Sequence, residues 1–155
     1  MPDPRRRRDP PGRAYREPMD IRLKNCFIAV DDHDKAIAFY RDVLGMEVRG
    51  DVGYEGMRWV TVGSPLQPDV DIVLEPPAAD PDASPADKEA MARLLAKGLL
   101  RGVNFTTSDC DALFARVRES GAEVIQEPTD MPYGVRDCAF RDPAGNMLRF
   151  MEARK

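Results

Sequence analysis

The chain has 155 residues, of which 43% are hydrophobic and 32% charged, and its formal net charge is -4. This size and composition predict one globular domain and exclude a chain that is disordered throughout. The charge is unevenly distributed, because residues 1–18 carry six arginines against three acidic residues and the rest of the chain is acidic. An acidic body lacks the positive field that phosphate backbones require, so we expect no nucleic acid partner.

The first 18 residues are basic and proline-rich. Because the run Arg5–Arg8 lies among prolines and has no apolar face, we expect residues 1–18 to form a disordered tail before a folded domain at residues 19–155. No segment has the length of a signal-peptide core or a membrane span, which predicts a cytoplasmic protein without a membrane partner. The three cysteines form no CxxC pair, which favours a reducing compartment and argues against disulfides.

The first half of the domain, about residues 21–77, has the pattern of a strand, a helix and three more strands. A short apolar run from Asn25 ends at Asp31 and Asp32, either of which can cap a helix. Apolar residues then recur at helical spacing as far as Leu44, and Gly45 ends the helix. Gly and Pro separate the three predicted strands, which cover residues 46–49, 57–62 and 71–75.

A linker helix is predicted at about residues 84–97. Ser84 is its N-cap, Asp87 completes a capping box, and Gly98 follows its last turn. Its modest apolar stripe either seals the domain or meets a partner, and consists of Met91, Leu94 and Leu95.

The second half, about residues 99–152, repeats the order of the first. The predicted elements are a strand at 102–107, a helix at 109–119 that ends at Gly121, and strands at 122–126, 136–140 and 147–151. The sequence DKAIA from Asp34 matches DALFA from Asp111 at a shift of 77 residues, and GMEV from Gly45 matches GAEV from Gly121 at a shift of 76. Two blocks in nearly the same register indicate an internal duplication.

Two stretches of sequence, Val30–Met46 and Arg141–Phe150, together with the duplicated βαβββ order, resemble the vicinal oxygen chelate superfamily. That superfamily includes glyoxalase I, bleomycin-resistance proteins and extradiol dioxygenases. The resemblance covers Met19 to about Glu152 and implies an α+β fold of the glyoxalase/bleomycin resistance/dihydroxybiphenyl dioxygenase type, in which two βαβββ modules form a cleft. It also implies a homodimer, but it does not specify a reaction.

Side chains alternate between the two faces of a strand, so residues out of phase with the apolar set that packs on the helices face the cleft. In the first strand, Cys26, Ile28 and Val30 are assigned to the helices. The strand at 136–140 has no clear phase. The predicted ligand-binding set is Asn25, Phe27, Trp59, Val73, Glu75, Gly102, Asn104, Thr106, Arg149 and Met151, with Ala29, Thr61 and Asp71 on the same faces.

In metal-dependent members of the family, the first and last strands of each module supply the ligands of a divalent ion. The resemblance places those ligands here at Asn25, Val73, Gly102 and Arg149. Val and Gly have no donor atom in the side chain, an Asn amide is a weak ligand, and an arginine cannot deprotonate and repels a cation. We therefore expect no metal and no other cofactor.

The remaining cleft residues suggest binding of a small organic molecule. Trp59 and Phe27 form an apolar platform for a flat ligand, unless Trp59 belongs to the core. The polar contacts are assigned to Asn104, Thr106 and Arg149. Arg149 suits an anionic ligand, unless it forms a salt bridge with Glu75.

Two functions stay open at this point. The first is a metal-free binding protein like the bleomycin-resistance branch. The second is an enzyme, a glyoxalase-like lyase or isomerase or a dioxygenase, whose metal is held by Glu75 with Asp71 or Asp137. Glu75 is also a weak candidate for a general base, or simply a solvated carboxylate before Pro76, whereas the single histidine, His33, is expected to face solvent.

Overall fold

The structure is a computed structural model that describes residues 14, 16–100 and 102–153. Most of the tail predicted at 1–18 lies outside the described residues. Module one contains β1 (Asn25–Ala29), α1 (His33–Ile37), a π-helical continuation (Ala38–Val43), β2 (Glu47–Tyr54), β3 (Met57–Gly63) and β4 (Asp71–Glu75). The linker is α2 (Pro85–Ala96), and module two contains β5 (Val103–Thr106), α3 (Cys110–Glu119), β6 (Val124–Asp130), β7 (Val135–Arg141) and β8 (Met147–Ala153).

Each module forms one four-stranded sheet. Sheet A has the strand order β1-β4-β3-β2, and sheet B has the equivalent order β5-β8-β7-β6. The first and last strands of each module pair in parallel: Phe27 lies opposite Val73 in sheet A, and Asn104 lies opposite Arg149 in sheet B. These pairs are related by the same shifts of 77 and 76 residues that the sequence blocks show, so the predicted α+β fold of two βαβββ modules is confirmed.

The predicted helix caps are present. Asp32 accepts a hydrogen bond from the backbone N–H of Lys35 (3.0 Å) and is the N-cap of α1. Ser84 and Asp87 form the capping box of α2. The helices of the two modules are followed by Gly45 and Gly121, whose φ angles of 76° and 85° lie in the left-handed region that glycine tolerates.

Two strands, β2 and β6, extend four or more residues beyond their predicted ends. β2 continues to Tyr54, because Gly50 and Gly53, which resemble turn residues in the sequence, pair with β3. β6 continues through Pro128 to Asp130, since β6 is the edge strand of sheet B and an edge strand tolerates a residue without an N–H donor. Pairing with the neighbouring strand overrides the local turn signals in both places.

One hydrophobic core joins the two modules. It combines alternate residues of sheet A, such as Val60 and Leu74, with Phe140 and Leu148 of sheet B. Leu95 of α2 is also part of this core and is 1% exposed, so the linker helix seals the domain. No helix within the described ranges is long and apolar enough to cross a membrane.

A buried polar cluster at the β7–β8 turn also links the modules. The hydroxyl of Tyr40 donates to Oδ2 of Asp142 (2.7 Å), and the amide of Asn146 donates to the carbonyl oxygen of Ala29 (2.7 Å). Burial and the charge of Asp142 raise the pKa of Tyr40 well above its usual range. The motif Arg141–Phe150 therefore forms the expected turn and, in addition, holds module two against module one.

Candidate ligand-binding faces of the two sheets

Each sheet has a face that points away from the shared core, called here its open face. Because Ile28, Val60 and Leu74 belong to the core, the alternate residues of their strands lie on the open face of sheet A. In sheet B, Cys138 and Phe140 belong to the core, which settles the phase of β7. The predicted ligand-binding residues that belong to strands lie on these faces, with Asn25, Phe27, Trp59, Val73 and Glu75 on sheet A and Asn104, Thr106, Arg149 and Met151 on sheet B. Gly102 precedes β5, and a Cβ there would meet the backbone of Met147, so this predicted position does not present a side chain on the open face.

The open face of sheet A is mainly apolar and aromatic. Trp59 is half-buried and lies outside the core, so its alternative assignment to core packing is wrong. Phe27 on the edge strand β1 is 58% exposed. Val52 and Tyr54 on the opposite edge strand, β2, are 61% and 65% exposed. This concentration of exposed apolar groups makes the open face of sheet A a candidate binding surface.

Glu75 lies in the middle of this apolar surface. It pairs with Ala29 of β1 and follows Leu74, which pairs with Val60, so it is the cross-strand neighbour of Trp59. Burial raises the pKa of its carboxyl group, and the side-chain N–H of Trp59 opposes that shift by hydrogen bonding to the carboxylate. Glu75 is therefore not the solvated carboxylate considered from the sequence, but a partly desolvated one.

The open face of sheet B is polar, and its charges are paired with each other. Nη1 of Arg149 lies 3.2 Å from Oδ2 of Asp137 and donates to Oε1 of Gln126 (3.2 Å). The amide of Gln126 also donates to Oδ1 of Asp137, which is fully buried. The salt bridge considered between Arg149 and Glu75 is thus wrong. Arg149 is also not an unpaired cation for an anionic ligand, because Asp137 neutralises it.

The pairing of Arg149 with Asp137 and Gln126 was not predictable from alternation alone. Val124 lies opposite Phe140 and Gln126 lies opposite Ala139, so β6 contains one extra residue at this point. This β-bulge turns Gln126 towards the open face, where strict alternation would place Ile125. No residue pattern in the sequence marks the bulge.

The structure does not provide the alternative metal site considered from the sequence, Glu75 with Asp71 or Asp137. Both aspartates are engaged in ion pairs. Oδ1 of Asp71 lies 2.7 Å from Arg49, and its Oδ2 lies 3.1 Å from Lys24. Asp137 is occupied by Arg149. Within the described part of the chain, no group of three or more His, Cys, Asp or Glu side chains is arranged to hold a metal ion.

The four family ligand positions do not fit a divalent metal either. Arg149 is held by a buried carboxylate, and Val73 has no donor atom. Gly102 cannot be replaced by a ligand residue without a backbone shift, because a Cβ there would lie 1.5 Å from the carbonyl oxygen of Met147.

His33 is half-buried and lies on the core side of sheet A. Its Nε2 donates to the carbonyl oxygen of Leu74 (3.1 Å), so the expectation that it faces solvent is wrong. The hydrogen bond ties the first turn of α1 to the central strand β4. The imidazole is therefore a structural group, away from the open faces.

Parts of the open faces are exposed in a single chain, whereas Val73 and Asp137 on the same faces are buried. Asn25, Asn104 and Thr106 are exposed. A cavity of about 500 Å³ lies elsewhere, between residues 35–43 and the turn at Asp142 and Pro143, and none of the predicted ligand-binding residues lines it.

Comparison with known proteins agrees with this architecture. The family model described as Glyoxalase/Bleomycin resistance protein/Dioxygenase superfamily matches residues 22–150. The chain is 32% identical over 126 residues to the uncharacterized protein YurT of Bacillus subtilis (strain 168), covering 81% of this chain and 94% of YurT. The crystal structure of UcmS2 superposes with a TM-score of 0.77 at 34% identity, over 87% of this chain and 100% of UcmS2. TnmS3, an antibiotic binding protein from Streptomyces sp. CB03234, superposes with a TM-score of 0.68 at 29% identity, over 87% of this chain and 98% of TnmS3. The chain belongs to the glyoxalase/bleomycin resistance protein/dioxygenase superfamily.

Proposed function

We propose that this protein binds a small organic molecule on the open faces of its sheets and does not transform it. The observation that carries the proposal is the open face of sheet A, where Trp59 on β3 pairs with the exposed Val52 of β2, a strand that also carries the exposed Tyr54. The exposed Phe27 lies on the same face two strands away, on β1. Aromatic rings of this kind hold flat apolar molecules by stacking and by removing apolar surface from water. The likeness to TnmS3, which is described as an antibiotic binding protein, supports the same type of function.

Catalysis is the weaker alternative because the polar groups near the platform are already engaged. A general acid or base needs a titratable group within reach of a second catalytic group or of a metal. Asp137 and Asp71 are held in ion pairs, and His33 is bonded to Leu74 on the other side of the sheet. Glu75 is left without a catalytic partner among the described side chains.

The binding site is completed by a second copy of the chain. Phe27, Val52 and Tyr54 on the open face of sheet A are exposed in one copy, whereas a pocket for a small molecule normally encloses most of its ligand. The segment before β1 adds to the uncovered apolar surface, since Met19, Ile21 and Leu23 alternate with polar residues and are 81%, 80% and 67% exposed. Burial of this alternating segment would drive the association of two copies.

Trp59 is the single tryptophan and reports directly on the proposed site. Titration with acridine, a flat molecule that is neutral near about pH 7.5, is expected to quench Trp59 fluorescence saturably. Analytical ultracentrifugation in parallel is expected to show a dimer. Leu99→Ala, which removes an apolar side chain of similar exposure outside the open faces, is the control and should leave the titration unchanged.

Metal analysis distinguishes binding from a metal-dependent reaction. The purified protein is expected to contain no stoichiometric Zn, Ni, Mn or Fe and to gain no thermal stability from them, because the donor positions are unsuitable. Stoichiometric metal bound tightly by the protein would contradict the proposal. A fluorescence titration without saturation, in a protein that is folded and dimeric, would contradict it as well.

A further inference from the structure

The charges on the two open faces differ in how they are compensated. Asp71 on sheet A is paired with Arg49 and Lys24 at 2.7 and 3.1 Å, and Arg49 also lies 3.6 Å from Glu47, so that two cations face two carboxylates. Arg149 on sheet B is paired with the buried Asp137 at 3.2 Å. These groups have opposite charges within direct contact, so each pair contributes little net field to a ligand on the surface.

Glu75 has no such compensation within the described ranges. No cationic side chain pairs with it, and its polar neighbour is the side-chain N–H of Trp59. Its flanking residues in the sheet are Ala29 on β1 and Trp59 on β3, neither of which carries a charge. An apolar surface that retains one partly desolvated, uncompensated carboxylate loses free energy in the unliganded state, which a ligand of opposite charge recovers.

From this arrangement we propose that the protein selects flat, conjugated molecules that carry a positive charge, and that Glu75 is their counter-ion. This inference rests on the proposed binding function and names its ligand class. The cation lies where the carboxylate of Glu75 and the ring of Trp59 meet, so that a charge-assisted hydrogen bond and a cation–π contact act on the same group. Phe27, one residue pair along β1 from Ala29, supports the rest of the conjugated system.

The same arrangement disfavours anions, which reverses the expectation drawn from Arg149 in the sequence. An anion would be repelled by Glu75 and would have to compete with Asp137 for Arg149. Since Asp137 is fully buried and already forms that ion pair, the competition is unfavourable. The polar face of sheet B is left with neutral hydrogen-bonding groups such as Asn104 and Thr106.

Three dyes of nearly the same shape test the proposal. 9-Aminoacridine is a cation near about pH 7.5, acridine is neutral and acridine-9-carboxylate is an anion. We expect 9-aminoacridine to quench Trp59 with an affinity about tenfold higher than that of acridine at low salt, and the carboxylate to bind more weakly than acridine. Glu75→Gln should abolish the preference for the cation, so that 9-aminoacridine and acridine bind with about the same affinity.

Glu119→Gln is the matched control, because it removes the same charge from the exposed end of α3. It should keep the preference for the cation, which shows that Glu75 acts locally and not through net charge. If acridine binds saturably but all three dyes have the same affinity, or if the anion binds best, the charge selection is wrong and the binding function stands. If none of the dyes binds to the folded dimer, both proposals are wrong.

Discussion

The open faces of sheet A and sheet B have the same topology and strand register but opposite surface chemistry. Phe27 and Asn104 are equivalent positions, and so are Val73 and Arg149. On sheet A, the apolar residues Phe27 and Val73 lie on the same face as the uncompensated carboxylate of Glu75. On sheet B, Arg149 belongs to a polar network in which its charge is cancelled by Asp137. In a duplicated fold, the core-facing residues preserve the architecture and the open faces are free to diverge.

The largest expected effect is the loss of stability on substitution of Gly102, compared with substitution of its counterpart in module one, Asn25. Gly102→Ala places a Cβ 1.5 Å from the carbonyl oxygen of Met147, so β5 has to shift away from β8. We expect a loss of roughly 3 kcal/mol or more in the free energy of unfolding, measured by urea denaturation. Asn25→Ala, at an exposed position, should cost less than about 0.5 kcal/mol.

The clash at Gly102 also changes how a metal site would have to be introduced. A variant with histidine or glutamate at all four family ligand positions would carry His at residue 102, and the backbone of Met147 occupies the position of its Cβ. We therefore expect the quadruple variant to misfold before it binds zinc. A single substitution in module one, Asn25→His at an exposed position, should leave the fold intact, as circular dichroism would show.

The second effect concerns the charge pairing on sheet B. Arg149→Glu removes the partner of the fully buried Asp137 and places another carboxylate beside it. We expect a destabilisation of about 3 kcal/mol, because a buried charge loses its compensation. Arg41→Glu, a charge reversal at the exposed ion pair with Asp42, should change stability far less. Equal effects of the two reversals in urea denaturation would mean that the Asp137 pair is no different from a surface ion pair.

The third effect concerns the aromatic platform on sheet A. Phe27→Ala should lower the affinity for 9-aminoacridine about tenfold, or about 1.4 kcal/mol, since the ring stacks on the dye. Its thermal stability should hardly change, because Phe27 is 58% exposed. Asn104→Ala, at the equivalent position of sheet B, is expected to change the affinity by no more than about twofold. If Asn104→Ala lowered the affinity more than Phe27→Ala, the dye would bind on sheet B, and the assignment of the platform to sheet A would be wrong.

The smallest effect is the dependence of stability on pH at Glu75. Burial raises the pKa of this carboxyl group above its ordinary value of 4.5, so the folded state binds the proton more tightly than the unfolded state. The tighter binding of the proton stabilises the folded state fully at pH values below the ordinary pKa. This contribution to stability is lost as the pH rises through the raised pKa of the folded state. Glu75→Gln should therefore melt slightly higher than the wild type at neutral pH and show no advantage at acidic pH. Glu119→Gln should show no such pH-dependent difference in calorimetry.

Local patterns in the sequence were sufficient for much of this protein. Helix caps at Asp32 and Ser84, the glycine that follows the first helix and the alternation along β1 and β4 depend on residues within a few positions of each other. The internal repeat then determined that the second module has the same order and register as the first. The predicted ligand-binding residues were placed on the open faces for the same reason, because strand alternation is a local property.

Only the tertiary structure decided which of those residues are chemically available. The partner of Arg149 depends on a bulge in β6 and on Asp137 of β7, and the partner of Asp71 is Arg49 of β2, two strands away in sheet A. Such pairings bring together residues that are distant in sequence, and no periodicity records them. The sequence by itself therefore determined the family, the fold and the two faces. The tertiary structure decided that Arg149 is neutralised, that Gly102 has no room for a side chain, and that Glu75 is left without a cationic partner among the described residues.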